Sequence, residues 1–399
     1  MLRVLSPSPS QSLSICFFAL SARAAHSSGL RCLQRSTIMP TDHNVSPVAA
    51  TSQVIADSDG VAHLGSIDVQ THGVTHDSNA WILTFPRGAY TGARTVHASH
   101  LLEFSAHCSR TASSLSKLDV SGEATPIDKH VYAALTNSSV LAALMRPVLS
   151  RALSSFFKAN PSFAPLSNAT SSQSTLNETK VTWVASLDGT LAVHCSPLSP
   201  PGPRDCDATR AIVAGEPRGN AQAKDSKWVA DRKPLAQLMA DGSINEVLLS
   251  HNGVVFEGLS SNFFTIVPNP TISSKSDVLI HQYQVQTAPL TDVLTGTILR
   301  LVIQVCEELG VPVQYQHPRL DQAAEWKAAF VTSTSRLVCP LSRIDVDEAS
   351  SRDLDHYLPA GWSITLDPRN SLLLAISDGV RRKLTERAEK VLELDWAME

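Results

Sequence analysis

The chain has 399 residues, 43% of them hydrophobic and 18% charged, with a formal net charge of −4. That content predicts a soluble globular protein of one large or two medium domains, and the weakly negative balance offers no basic field for nucleic acid. The 7 cysteines are scattered without a Cys-x-x-Cys pair, which argues against a zinc site or a disulfide framework and for reduced thiols in an intracellular compartment.

Residues 1–41 contain Arg3, Arg23, Arg31 and Arg35, many serines and no acidic residue. This is the composition of a transit peptide for a mitochondrion or plastid. The apolar run 13–20, followed by Ala22-Arg23-Ala24, also reads as a signal peptide; it is too short and interrupted to span a bilayer, so no membrane partner is expected. Met39 offers a second start and hence a cytosolic form. Residues 1–60 are expected to be leader and unstructured.

A first domain is expected over residues 75–195. Residues 80–85 read as a strand, 86–90 as a turn and 91–96 as a second strand. Residues 101–115 and 140–157 carry helical spacing, and 161–178 is a Ser/Asn-rich loop. Runs 181–186 and 190–195 flank Leu187-Asp188-Gly189 as a hairpin. Residues 196–220, rich in Pro, Gly, Asp and Arg, read as a linker to a second domain over 221–399. That domain holds hairpins, a helix from about Gly296 to Gly310, a strand, and a final helix over 372–394. The mixture predicts an α+β fold of two domains.

Three patches in the second half carry the chemistry. Residues 247–249 and 254–256 flank Asn252-Gly253 as a hairpin, ended by Glu257 and the turn Gly258-Leu259-Ser260-Ser261-Asn262. A carboxylate there is either a site residue or a surface one. Next, Gly296 opens a helix whose unpaired N–H groups and positive dipole end suit a phosphate. Last, residues 329–331 run as a strand into the hydroxyl-rich turn Thr332-Ser333-Thr334-Ser335-Arg336.

In this order and at these gaps, the patches resemble the class IV aminotransferases, which are fold type IV, pyridoxal-phosphate-dependent enzymes. The Lys224…Trp228…Arg232-Lys233-Pro234-Leu235, Gln286-Thr287-Ala288-Pro289 and Thr332-Ser333 blocks look most like the plant branched-chain-aminotransferase-like, or D-amino-acid-aminotransferase-like, subgroup. The likeness runs from about Trp81 to Asp345 and is stronger from Lys224 onward. It implies a two-domain α+β fold, pyridoxal 5'-phosphate as cofactor, an amino acid and a 2-oxo acid as substrates, and a homodimer.

Such an enzyme uses a lysine to hold the cofactor and move a proton, an acid on the ring nitrogen and donors for the phosphate. By resemblance Glu257 is the acid. Lys224 precedes it by 33 residues and Lys227 by 30; the Trp228 register selects Lys224, with Lys227 as the alternative. The phosphate falls to Gly296, Thr297 and Ile298, with Thr334, Ser333 and Asn262 beside it. Arg110 joins them through a Phe104…His107…Arg110 helix that resembles the family's Phe-x-x-His-x-x-Arg. Tyr90 and Arg94 resemble a substrate-side block, and Arg336 offers a fork for an acidic substrate or is a surface residue. The chain departs from the family where Ile298 replaces Thr, Leu299 replaces Arg and Ser333 replaces Gly. An aminodeoxychorismate-type lyase and a catalytically degenerate scaffold are the alternative readings.

Overall fold

The computed structural model describes residues 45–392, apart from 120–126, 166–176, 199–208, 271–278, 348–353, 355 and 360. The expected leader, residues 1–41, lies outside the described residues, as does much of the expected linker. Two β-sheets carry the fold.

The first sheet contains β1 (Val48–Ala56), β2 (Ala62–Leu64), β3 (Asp68–Gln70), β4 (Gly88–Val96), β5 (His100–Leu102), β6 (Glu178–Ser186) and β7 (Thr190–Leu198). Helices α1 (Ser78–Ile82), α2 (Phe104–Leu115), α3 (Lys129–Thr136) and α4 (Ser138–Ala159) accompany it. Helices α2 and α4 bury Phe104, Cys108, Leu149, Phe156 and Phe157 against Val181, Trp183 and Val193, in one apolar cluster. Along β6 the side chains alternate: Val181 and Trp183 enter that cluster, while Lys180 and Thr182 face the other way.

The second half opens with β8 (Arg210–Val213), then α5 (Lys227–Asp231) and α6 (Lys233–Ala236). The remaining strands of the second sheet are β9 (Glu246–His251), β10 (Val254–Gly258), β11 (Asn262–Pro268), β12 (Tyr283–Thr287), β13 (Val313–Tyr315), β14 (Ala328–Ser333), β15 (Leu337–Leu341), β16 (Arg343–Val346) and β17 (Ser363–Thr365). Helix α7 (Thr297–Glu308) and a last helix, Ser371–Glu386, cover one face through Leu299, Val302, Leu372 and Ile376. Trp326, Leu354 and Leu358 cover the other. The expected hairpin is present: Asn252 and Gly253 both take positive φ, 50° and 73°, the two left-handed residues that a tight turn between twisted strands demands.

Several sequence expectations are corrected. Residues up to 60 are not all unstructured, and the first domain begins before 75: β1 pairs with β7, β2 and β3, and Val48, Ala49, Ala50 and Val54 are buried. Small residues buried on both faces blur the polar–apolar alternation that marks a strand. Residues 80–85 do not form a strand; Asp77 accepts from Asn79 N at 2.8 Å and caps α1. The helix expected from 101 starts only at Phe104, after β5, because Glu103 sits at φ 47° and breaks the run. The linker is shorter than 196–220, since β7 reaches Leu198 and β8 lies inside the second sheet between β9 and β16. The final helix stops at Glu386, and the chain then returns as β18 (Ala388–Lys390) to pair with β5 of the first sheet.

These pairings predict where the chain can be shortened. A chain starting at Val45 is expected to fold, and one starting at Val61 is not. The second loses the β1 ladder and the buried side chains of Val45, Val48, Ala49, Ala50 and Val54, several kcal/mol against a net stability of roughly 5–15 kcal/mol. Soluble yield and thermal melting check this; equal melting of the two would show that β1 is dispensable.

Candidate active site

A cavity of about 200 Å³ lies where α1, β4, β6 and α2 of the first sheet meet the β10–β11 turn, the start of α7 and the turn after β14. Glu257 reaches it through a bulge. Val255 pairs with Ser250 but Glu257 with Leu249, so β10 advances two residues while β9 advances one. That extra residue moves Glu257 from the face of Val255 to the face of Leu249. There the carboxylate is buried. Oε1 accepts from Arg218 Nη2 at 2.6 Å and Nε at 2.9 Å, and Oε2 accepts from Leu294 N at 3.3 Å. Burial raises its pKa and Arg218 opposes the rise.

Lys224 comes from the segment after Arg218, which is stitched to the first sheet. Its N–H donates to Ser114 Oγ at 3.0 Å, its carbonyl accepts Tyr90 N at 3.0 Å, and Ser226 N donates to Gly88 O at 2.8 Å. The Lys224 amine lies 4.6 Å over the Tyr90 ring, and among the described residues no carboxylate pairs with it. Burial lowers its pKa to about 8, with Arg110, Arg232 and Arg218 adding to the fall and Tyr90 opposing it. Burial alone would raise the Tyr90 phenol, yet Lys224, Arg232 and Arg218 outweigh it and hold it at about 8. Lys227 points elsewhere: it is exposed and pairs with Asp231 at 2.6 Å, one helical turn on.

The opposite end is built for an anion. Helix α7 starts at Thr297 with Gly296 as its cap and no side chain on its first N–H groups. A Cβ at position 296 would displace the Asn262 side chain, whose amide donates to Leu294 O at 2.7 Å. Arg110 donates to Thr297 Oγ1 at 2.9 Å and to Thr91 Oγ1 at 2.7 Å, and contacts His107 Nδ1 at 2.8 Å. Burial and then Arg110 hold His107 well below the usual histidine range, so its ring is neutral and can accept at Nδ1. Ile298, Ser333 and Thr334 also line the cavity.

Two expected substrate residues do not reach it. Arg94 lies outside the lining; its Nη1 faces the Thr334 carbonyl at 3.4 Å, bracing the turn after β14 from beneath. Arg336 donates to the Glu246 carboxylate and to Asn245 O at 3.0 Å. Glu246 is buried and also accepts from Ser261 Oγ at 2.6 Å and Leu259 N at 3.2 Å. Arg336 therefore clips two loops together rather than meeting substrate. The expectation of substrate contacts for Arg94 and Arg336 is corrected on this geometry.

Three cations that the sequence reading did not single out line the cavity: Lys180, Arg218 and Arg232. Arg218 fell inside the expected linker. Lys180 sits on the polar face of β6, and Arg232 within the block that fixed the lysine register.

The residues present fit pyridoxal phosphate. Arg110 Nε and Thr332 Oγ1 are buried without a hydrogen-bond partner, the start of α7 offers free N–H groups, and a buried amine and a buried carboxylate line the same cavity.

The family description "amino-transferase class IV" matches residues 88–344. A D-alanine aminotransferase of Bacillus licheniformis is 26% identical over 162 residues, 40% of this chain and 52% of that protein, so the chain spans about half the length of this curated relative. A fold IV transaminase from Curtobacterium pusillum superimposes with a TM-score of 0.52 at 15% identity, covering 85% of this chain and 99% of that one. A branched-chain aminotransferase from the thermophilic archaeon Thermoproteus uzoniensis, solved with norvaline, also gives 0.52, at 16% identity over 86% of this chain and 99% of that one. At such identities the likeness shows the fold, the expected α+β fold type IV.

A lysine must be neutral to attack an aldehyde. At a pKa of about 8, roughly a tenth of Lys224 is neutral at pH 7, against less than about a thousandth for an ordinary lysine near 10.5. Capture of pyridoxal phosphate by the cofactor-free protein should therefore accelerate with pH and level off above about 8. Stopped-flow absorbance checks this. A midpoint near 10, or an unchanged profile in Lys224→Ala, would contradict it.

Proposed function

The chain belongs to the class IV aminotransferases, and on that premise we propose that it is a pyridoxal-phosphate-dependent transaminase moving an amino group from an amino acid to a 2-oxo acid. The observation that carries this is the Lys224 amine: buried, with no carboxylate in ion-pair contact among the described residues, and in one cavity with the Glu257 carboxylate and the open start of α7.

Bound there, pyridoxal phosphate would supply an aldehyde that joins amines and a ring that accepts an electron pair. The chain's own residues do the rest. Arg110, Thr297 and the first N–H groups of α7 would hold the phosphate. Glu257, fixed by Arg218, would present its carboxylate to the ring nitrogen and favour the protonated form. Lys224 would be the residue that takes the proton from the substrate Cα and holds it for return, acting as general base and then as general acid. Its pKa near 8 leaves both protonation states accessible near neutrality. The Tyr90 phenol, also near 8, lies beside the amine and can share that proton. A homodimer and membership of the branched-chain- or D-amino-acid-aminotransferase-like subgroup belong to the same reading. The acid-free, arginine-bearing leader supports import into a mitochondrion or plastid.

Borohydride reduction of the cofactor-loaded protein, followed by peptide mass mapping, is expected to place a pyridoxyl group on Lys224. Lys224→Ala should lower amino transfer by about 10²–10⁴-fold, and Glu257→Gln should lower it too while leaving the Lys224 adduct in place. An adduct on Lys227, or no amino transfer from any donor in a panel of both enantiomers, would overturn the assignment.

A further inference from the structure

Glu246 and Arg336 take no part in the chemistry proposed above, and their effect on the cofactor rests on that reading. Neither lines the cavity, yet both turns that they join do: the β10–β11 turn from Gly258 to Ser261 and the β14–β15 turn from Ser333 to Ser335. The two turns lie side by side. β11 and β14 are paired as far as Asn262 opposite Thr332, where the ladder ends. Beyond that rung, among the described residues, no hydrogen bond runs directly from one turn to the other. They meet through one carboxylate. Glu246 Oε1 accepts from Val247 N at 3.1 Å and Leu259 N at 3.2 Å, and Oε2 accepts from Ser261 Oγ at 2.6 Å and from Arg336 Nη2. Four donors fill the sites that a carboxylate offers. Glu246 is 1% exposed, so losing one donor leaves a buried lone pair without a partner.

The post is fixed, and the turn tied to it is strained. Asn245 O accepts the other arm of Arg336 at 3.0 Å. Asn245 is itself bonded to Arg210 of β8 through its N–H and its side-chain oxygen, at 2.8 Å each. Next to Arg336, Leu337 sits at φ 58°, in the left-handed region that a leucine rarely adopts. Such a conformation persists only where its surroundings over-determine it. Here they are the Leu337 side chain, buried in the cluster under α7, the Ser333 Oγ that accepts Arg336 N at 3.2 Å, and the Arg336–Glu246 pair. The pair is open to solvent on one side, with 30% of the Arg336 side chain exposed. On the other turn the tie runs inward. Asn262 follows Ser261, and its amide donates to Leu294 O at 2.7 Å, two residues before the glycine that opens α7. One ion pair thus steadies both the Thr334 turn and the approach to the helix start, the two sides of the anion end.

We propose that Arg336 and Glu246 form a latch behind the cavity wall: closed, it fixes the two turns as one anion-binding wall and slows release of the cofactor; open, it frees both turns together. Both are positioning residues, acting through the turns and touching neither cofactor nor substrate.

The test uses the full chain, cofactor-loaded and cofactor-free. Release of pyridoxal phosphate from the loaded protein, followed by absorbance, should be about 10- to 100-fold faster in Arg336→Met, the range of one charge-assisted pair, while amino transfer with cofactor in excess changes by less than about threefold. Arg336→Lys, which keeps the charge but loses the fork, should recover part of the retention. Glu246→Gln should repeat the Arg336→Met result. Lys383→Met breaks an ion pair with Glu308 on the last helix, outside the cavity lining, and should leave release at the wild-type rate. In the cofactor-free protein, Arg336→Met should raise hydrogen exchange at residues 258–261 and 333–336 together and leave the β11–β14 ladder unchanged. Release from Arg336→Met as slow as from the wild type, or an equal acceleration in Lys383→Met, would overturn the latch and leave the transaminase standing. So would exchange that rises at the β14–β15 turn alone. A wild type that takes up no pyridoxal phosphate would sink the transaminase reading. The exchange pattern would then decide the latch by itself, a joint rise at both turns in its favour and an unchanged pattern against it.

Discussion

A carboxylate taken out of water is stable only beside a partner that cannot leave, and Glu257 has one in Arg218. The pair is buried on both sides, and both residues depend on backbone irregularities. Glu257 turns into the cavity because β10 carries one extra residue against β9. Arg218 is steadied by the Ala221 carbonyl at 3.0 Å, in the bend that leads to Lys224. The acid, its partner and the lysine are thus fixed by one short stretch of chain and one bulge. Behind them a second buried acid, Glu246, fastens the turn between β10 and β11 to β9 and to Arg336. Neither acid meets solvent, so both act as internal anchors rather than surface charges.

The cavity also depends on where the two halves of the chain are joined. Lys224 follows the expected linker and precedes the strands of the second sheet, yet its neighbours sew onto β4. Asp225 bridges to Ala89 and pairs with Arg87 at 2.7 Å, and the backbone of Lys224 contacts Tyr90 and Ser114. The Lys224 amine is thereby positioned by the first sheet and the Glu257 carboxylate by the second. The C-terminal β18 ties the sheets a second time by returning to β5. Two crossings make the relative position of amine and carboxylate a property of the whole fold, so a one-residue slip in either sheet would misalign them.

Local chemistry was legible in the sequence wherever it was encoded locally. The Asn252-Gly253 turn, the strand ending at Glu257, the glycine opening α7 and the His107…Arg110 spacing all depend on residues a few places apart. Lys227 could be set aside from Lys224 by the same kind of signal, an Asp231 four residues on that takes its charge to the surface. Long-range pairing was not legible. Arg336 looked free because Glu246, its partner, lies 90 residues away. Arg218 hid in a Pro- and Gly-rich stretch that reads as linker. Lys180 lay just outside the expected strand 181–186, and nothing near it in sequence says that its side lines a cavity. β1 escaped notice because residue type does not follow burial along it: Ser52 is buried while Ile55 is exposed, which removes the alternation by which a strand is recognised.

The departure at Ile298 shows how the anion end tolerates a lost hydroxyl. Ile298 belongs to the apolar cluster under α7 with Leu299, Leu301 and Val302 and also lines the cavity. The preceding residue supplies the hydroxyl instead. Thr297 Oγ1 accepts from Arg110 at 2.9 Å, and His107 Nε2 lies 3.4 Å away. A neutral His107 accepts at Nδ1, where Arg110 and the Thr91 hydroxyl both approach, and directs its remaining N–H toward Thr297. The network leaves Arg110 Nε buried and unpaired. An anion at the start of α7 would satisfy that donor together with the helix N–H groups. The donor, its orientation and the unpaired hydrogen are therefore all in place without the residue that the family usually carries at position 298.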